Sequence, residues 1–549
     1  LRLHHRAGEA LEEACGAHPE PHLAELAHHF FQAAAGGDIT KAVDSCVRAA
    51  ERAYQLLAYE ESARQYEHAL QALELRVPRD ETRRCELLLA LGDAHSVSGA
   101  RERARAVFES AAEIARRLSR ADLLARTALG YRGFEMGAPA ENTTLALLEE
   151  ALVAVGDEQP GLRARLLSRL VGTPPYSHSM ERRDALSREA HALAQRAEDQ
   201  GARRDALFAR LWACLGPDRV AERLAVAQEI LDLAERLGDR RMALFGYEGL
   251  LGAHLLRGDT AAADRALAAY TRLAKELRQP TFMLQTTVCQ GSRALARGDF
   301  DTAEQLFREA LDRGRGVPYA HFIFAGQMFS LFMQRGDIDQ FGQIQDLLLE
   351  MVEMPYSWER AARSSIALMH AVRGEIELAR HEFDSLAEHG FADFPRDEHW
   401  LVTMVSLSSL AIVLNDRPRA ALLYDCLKPY VDLVVVHDLL RATFGSVASA
   451  LGNLATLLQR YDEGAAYYER AIAKETAMRA RPALLSSQAG FARLLLLRGK
   501  PQDRARANAM IEQVMAGAQA IGICSTATYL RALGDLGASV APRLRAGKQ

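Results

Sequence analysis

Apolar stretches at helical spacing alternate with short polar turns along almost the whole chain, and the turns repeat. Arg257-Gly258-Asp259, Arg297-Gly298-Asp299, Arg335-Gly336-Asp337 and Arg373-Gly374-Glu375 place their glycines 40, 38 and 38 residues apart. Each triplet follows one apolar helical stretch and precedes another, so it predicts the turn inside a helical hairpin. Glycine ends the first helix because it takes the left-handed backbone conformation cheaply. The Asp then caps the N–H groups of the next helix, and the Glu sets negative charge at that helix's positive end. Nearer the start, Leu23–Ala34 is an amphipathic segment closed by Gly36-Gly37-Asp38. Helices are expected from about Thr40 to Leu57 and from Tyr59 to Leu73, the second with Tyr66, Ala69, Leu70 and Leu73 on one face. Pro78 breaks the pattern, and Glu81–Ser96 and Arg101–Leu118 form the next pair.

Several pairs fit the tetratricopeptide pattern, in which a Leu-Gly pair, a small residue, an aromatic and a second small residue hold fixed offsets. Leu91-Gly92, Ala104, Phe108 and Ala111 fit it, as do Gly291, Ala303, Phe307 and Ala310, and Leu451-Gly452, Gly464, Tyr468 and Ala471. The internal spacings are 12, 4 and 3 in all three. Small residues let the paired helices approach, and the aromatic fills the groove between successive hairpins. Other units are degenerate. Ala379 and Phe383 keep the pattern, Phe341 occupies a normally small position after Gly336, and Ala420 and Tyr424 follow Asn415-Asp416 in place of Gly-Asp. Arg498-Gly499-Lys500 marks a further turn. The expected fold class is therefore all-α, a right-handed superhelical solenoid of antiparallel helix hairpins.

The pattern is weakest at Met136–Asn142 and at Val171–Met180, where Gly172, Pro174 and Pro175 interrupt helical stacking. The expected division is 1–172 for a first group of hairpins, 176–541 for a second array that either stands apart or continues the first, and 542–549 for a tail. Helix-forming composition agrees: 49% hydrophobic and 25% charged residues, with only 7% aromatic. A formal charge of −5 argues against a surface built for phosphate backbones, and no direct nucleic-acid contact is expected. The seven cysteines (Cys15, Cys46, Cys85, Cys214, Cys289, Cys426, Cys524) contain no C-x-x-C, so neither a zinc ribbon nor a disulfide framework is indicated. The longest uncharged run, Trp400–Asn415, is shorter than the roughly 20 residues a membrane span needs and reads as a buried helix. A reducing, cytoplasmic setting is expected. The first residue is Leu1 rather than Met and Leu3–Ala14 already look helical, so the chain is expected to begin partway through a larger protein.

Candidate chemistry is sparse. The place of the Arg-Gly-Asp triplets at hairpin turns accounts for them without an adhesion role. His4, His5, His18, His22, His28 and His29 invite a metal reading, and Glu25 and His28 have the i, i+3 spacing of di-iron helices. A metal bundle needs such pairs on several facing helices, and no second Glu-x-x-His appears nearby. Gly499-Lys500 is followed by Pro501 and lies between helices, so it is no phosphate-binding loop. No nucleophile elbow or dinucleotide fingerprint is present. Catalytic, cofactor-binding and metal-ligating residues are therefore assigned to none. Some tetratricopeptide arrays hold a terminal carboxylate with Asn and Lys on the first helix of each hairpin. Asn453 sits at one such position, but Asp93 and Ser292 occupy the others, so packing or capping is the expected role of Asn453.

Leu1–Glu13, Leu23–Phe30 and Arg48–Leu73 resemble the segment that follows the nucleotide-binding module of large bacterial signal-transduction ATPases of the AAA/STAND type. Leu211–Ile230, Gly390–Leu401, Leu422–Tyr430, Leu451–Ala471 and Ala480–Gly499 are similar to recurring stretches of that family's C-terminal tetratricopeptide region. Nearly all of the chain takes part in the resemblance. It implies a non-catalytic sensor or autoinhibitory arm that binds a protein partner or small inducer in its groove. The controlled output would be a LuxR-type or winged-helix DNA-binding domain, or a class III adenylate/guanylate cyclase, outside this chain. ATP and magnesium would belong only to the ATPase module. The alternative is a free-standing adaptor that gathers protein partners along its groove.

Overall fold

The computed structural model describes residues 1–132, 142–173, 179–315, 317, 320–353, 358–437 and 441–523. The described residues fall into two compact units that divide between Ala209 and Arg210, with Ser179 and Met180 grouping with the second. The first unit contains α1 (Arg2–Cys15), α2 (Leu23–Ala33), α3 (Ile39–Gln55), α4 (Tyr59–Leu73), α5 (Glu81–Ser98) and α6 (Arg101–Arg117). It continues through α7 (Ala121–Arg132), α8 (Asn142–Val155), α9 (Pro160–Val171), α10 (Met180–Ala197) and the first part of α11 (Gln200–Ala213). From α1 through α9 each helix packs on the next in sequence, and α5 on α7 and α7 on α9 form an inner row.

The second unit runs through α12 (Val220–Leu237), α13 (Arg240–Arg257), α14 (Thr260–Leu277), α15 (Pro280–Arg297), α16 (Phe300–Arg313), α17 (Ala320–Arg335) and α18 (Gln345–Val352). Then follow α19 (Trp358–Arg373), α20 (Ile376–Leu386), α21 (Trp400–Val413) and α22 (Arg417–Leu427). Next comes a ribbon of β1 (Val434–His437) and β2 (Ala442–Ser446), before α23 (Val447–Leu457), α24 (Tyr461–Met478), α25 (Arg481–Arg498) and α26 (Asp503–Ala520). The protein is thus a stack of consecutive helical hairpins with one short ribbon added. Trp400–Val413 is a largely buried helix, as its uncharged run suggested, with Val413 exposed at its end.

The repeated turns behave as their chemistry dictates, with two exceptions. Gly258, Gly298, Gly336 and Gly374 all have positive φ, between 78° and 86°. Asp259 accepts a hydrogen bond from the Ala262 N–H at 3.0 Å and Asp299 from that of Thr302 at 3.3 Å. Asn415-Asp416 works as a substitute: Asn415 has φ 52° and Asp416 caps the Arg419 N–H at 3.1 Å. Asp337 and Glu375 make no side-chain cap. Glu375 instead bonds to His370, and Asp337 is followed by a 3-10 segment, Ile338–Gln343. Phe341, fully buried against Phe329 and Phe332, takes the room that a small residue would leave for a closely approaching α-helix.

The tetratricopeptide positions interlock between hairpins. A Cβ on Gly92 or Gly130 would stand 2.6 or 2.4 Å from the Phe108 ring, so the ring lies between α5 and α7 where neither has a side chain. Tyr468 is held in the same way between Gly452 of α23 and Gly490 of α25. Of the weak stretches, 136–141 and 174–178 lie outside the described residues, as does the tail 542–549.

Candidate functional site

The inner row of the first unit carries a ladder of charge that no short motif announces. Glu86 of α5, Arg126 of α7, Arg165 of α9 and Asp205 of α11 follow one another at 40, 39 and 40 residues, the length of one hairpin. Equivalent helix positions therefore bring them to one face. Asp205 is fully buried and receives Arg165 Nε at 3.1 Å, Arg204 Nη2 at 3.1 Å and Arg169 Nη2 at 3.7 Å. A buried carboxylate needs such company, because an isolated charge out of water is costly. Arg126 is different. It is exposed, and among the described residues it makes no hydrogen bond or ion pair.

Asp93 completes the face. Asp93 is exposed as a residue, yet crowding of its carboxyl group by the surrounding helices pushes its pKa up to about 6, with the guanidiniums of Arg126 and Arg165 pulling it back. Arg126 and Asp93 are both exposed residues, and the positive charge of Arg126 acts on Asp93. The forty-residue recurrence of Glu86, Arg126, Arg165 and Asp205 is a legible signal, but it escapes a search for short motifs.

In the second unit the inner helices face the chain's own ribbon. β1 packs on α13 and α21, β2 on α15, α24 and α25, and α15 touches α25 directly. Val434, Val435, Val436 and Ala442 are all buried. The strands pair antiparallel, Val436 opposite Thr443 and His437 opposite Ala442, with a bulge between Val434 and Val436. Arg441 is buried and donates to Glu248 of α13 at 2.6 Å. Glu475 of α24 is fully buried and accepts from both the Ser446 N–H and its hydroxyl at 2.9 Å. Burial pushes the Glu475 pKa up, opposed by hydrogen bonds from Ser487 and Ser446. The turn at Gly258 closes against the ribbon too, since a Cβ there would stand 3.2 Å from Val434 Cγ2 and Met478 Sδ.

The singled-out clamp positions separate on this view. Asn453 Oδ1 accepts the Tyr468 hydroxyl at 2.7 Å, a packing role. Ser292 is buried and Asp93 is open. The histidines also separate. Glu25 pairs with His22 Nδ1 at 3.2 Å rather than acting with His28, whereas His4, His28 and His29 converge on one place. The cysteines show no activation: burial pushes Cys46 and Cys289 up to about 12 and Cys85 and Cys214 up to about 11. Cys524 lies outside the described residues. Among the described residues no helix is long and apolar enough to cross a membrane.

No protein-family model matches the sequence, and no curated protein matches it. Among solved structures, the chain is similar to the APC/C hetero-tetramer Cut9–Hcn1, at 15% identity and a TM-score of 0.45, over 96% of this chain and 92% of that one. It is also similar to yeast Tom70, at 12% identity and a TM-score of 0.31, over 86% of this chain and 99% of that one. The fold is a tetratricopeptide-like stack of helical hairpins. That statement rests on the interlocked glycine–aromatic positions and the capped turns described above.

Proposed function

We propose that this chain is a non-catalytic scaffold whose first unit binds an extended, carboxylate-bearing segment of a protein partner at Arg126. One observation carries the reading: Arg126 presents an exposed guanidinium, uncommitted among the described residues, on a face where neighbouring arginines are paired. A guanidinium fork takes a carboxylate through two parallel charge-assisted bonds. The second unit's inner row, covered by its own ribbon, is a poorer receptor for an added peptide.

The test is binding of the full chain to an array of acidic peptides, each with its carboxylates free and with all of them, Asp, Glu and C-terminus alike, amidated. Free-carboxylate peptides should bind, and Arg126→Ala should weaken them at least tenfold. Equal binding to amidated peptides, or to Arg126→Ala, would refute the assignment. The regulatory-arm reading rests on the sequence resemblance and concerns the same surface, with an ATPase module as the controlled output. A reading frame that encodes no Walker-type loop alongside this chain would end it.

A further inference from the structure

We propose that His4, His28 and His29 form a binding site for a divalent late first-row metal ion, zinc by preference, that ties α1 to α2. His28 and His29 are consecutive on α2, and His4 of α1 lies over both. The His4 ring centroid is 5.6 Å from that of His28 and 5.2 Å from that of His29, and the last two are 5.5 Å apart. One ring nitrogen from each histidine falls within 4.8 Å of the others, and His4 Nδ1 is 3.0 Å from His29 Nδ1. Tetrahedral zinc with bonds of about 2.0–2.1 Å sets its ligand nitrogens about 3.3 Å apart. The cluster brackets that spacing, so side-chain rotation suffices to complete it.

The backbone beneath the cluster is fixed. Gly8 is the buried residue of α1, and a Cβ there would stand 2.9 Å from the Phe30 ring of α2, so the two helices cross at close range just behind the imidazoles. His5 meets the other side of Phe30 at 6.4 Å between centroids, and His68 stacks on Phe31 at 4.3 Å. Three imidazoles with no carboxylate or thiolate among them favour zinc, nickel or copper over magnesium or calcium. Three protein ligands leave a fourth position for water or an exchangeable group. The site is independent of the peptide reading above, which concerns other residues.

Metal-stripped full chain is titrated with Co2+ and followed by its visible absorption, then competed with Zn2+. The expected result is one equivalent of Co2+ with the intense bands of a four- or five-coordinate ion, displaced by one equivalent of Zn2+. His4→Gln, His28→Gln and His29→Gln should each weaken binding at least tenfold, while His191→Gln on α10 leaves it unchanged. His28 is exposed, so His28→Gln reports on the site without risk to folding. Zn2+ should also raise the thermal midpoint of the parent chain and not that of His28→Gln. Absence of a saturable cobalt spectrum, or the same spectrum and affinity in all three variants, would overturn the proposal and leave three packed rings.

Discussion

On the proposed reading, the charge of Asp93, which feels that of Arg126, bears on how strongly Arg126 attracts a bound carboxylate. The folded pKa of Asp93, about 6, lies above the ordinary value of about 3.9 for an unfolded aspartate. The sign is therefore that of a raised acid: its contribution to stability is full below the unfolded value and is lost as pH rises through about 6. The same titration governs the ligand. Below pH 6 Asp93 is neutral and Arg126 attracts the incoming carboxylate in full; above it, the charge of Asp93 weakens that attraction. Peptide affinity should rise as pH falls from 7 to 5 in the parent chain. Asp93→Asn should bind more tightly at pH 7 and lose that slope, and a variant that retains the slope would show that another group sets it. Glu475 gives a second test with the same sign, since burial raises it as well. Glu475→Gln keeps an acceptor for the Ser446 N–H and should be no less stable than the parent at pH 8. Glu475→Ala strands that buried N–H and should cost about 1–3 kcal/mol by denaturant melting. Neither residue stands out in the sequence. Asp93 appears there as a failed clamp position, and Glu475 as one more acid on a helix, because solvation depends on what the fold packs around a group.

Helices were the legible element, and the reason is local. Tyr59–Leu73 begins and ends where its apolar face does, and Glu81–Ser98 and Arg101–Arg117 differ from the expected spans by two residues or fewer at each end. The glycine–aromatic interlock was legible as well, since its spacing is fixed by one hairpin. Ala104→Trp and Ala303→Trp, each at the small position of a unit, should overpack their hairpins and cost roughly 1–3 kcal/mol or more. Gly130→Ala is the sharper variant, because its new methyl would enter the Phe108 ring. Unchanged melting in all three would contradict the assigned interlock. The ribbon was not legible. Val434-Val435-Val436 is a run of β-branched residues, but three apolar residues in a row carry no period that separates strand from buried helix. Its partner strand contains Gly445, and what holds it there, Glu248, Glu475 and the inner helices, comes from distant parts of the sequence.

A stack held only by neighbours keeps damage local, whereas a stack braced from within does not. In the first unit each helix packs on those adjacent to it in the row, so an overpacked Ala104→Trp should speed amide hydrogen exchange in α5–α7 and leave α13–α25 unchanged. The second unit departs from that rule. Its ribbon touches α13, α15, α21 and α25, and α15 meets α25 although nine α-helices lie between them in sequence. These contacts close the unit on itself and give it long-range order that nearest-neighbour stacking lacks. Val435 is fully buried within the ribbon, so Val435→Asp places an unpaired carboxylate where it cannot be solvated. The ribbon should be expelled, and α13, α15 and α25 should lose exchange protection together. Loss confined to α22 and α23, the helices that flank the ribbon in sequence, would mean that the ribbon fills space without bracing the unit.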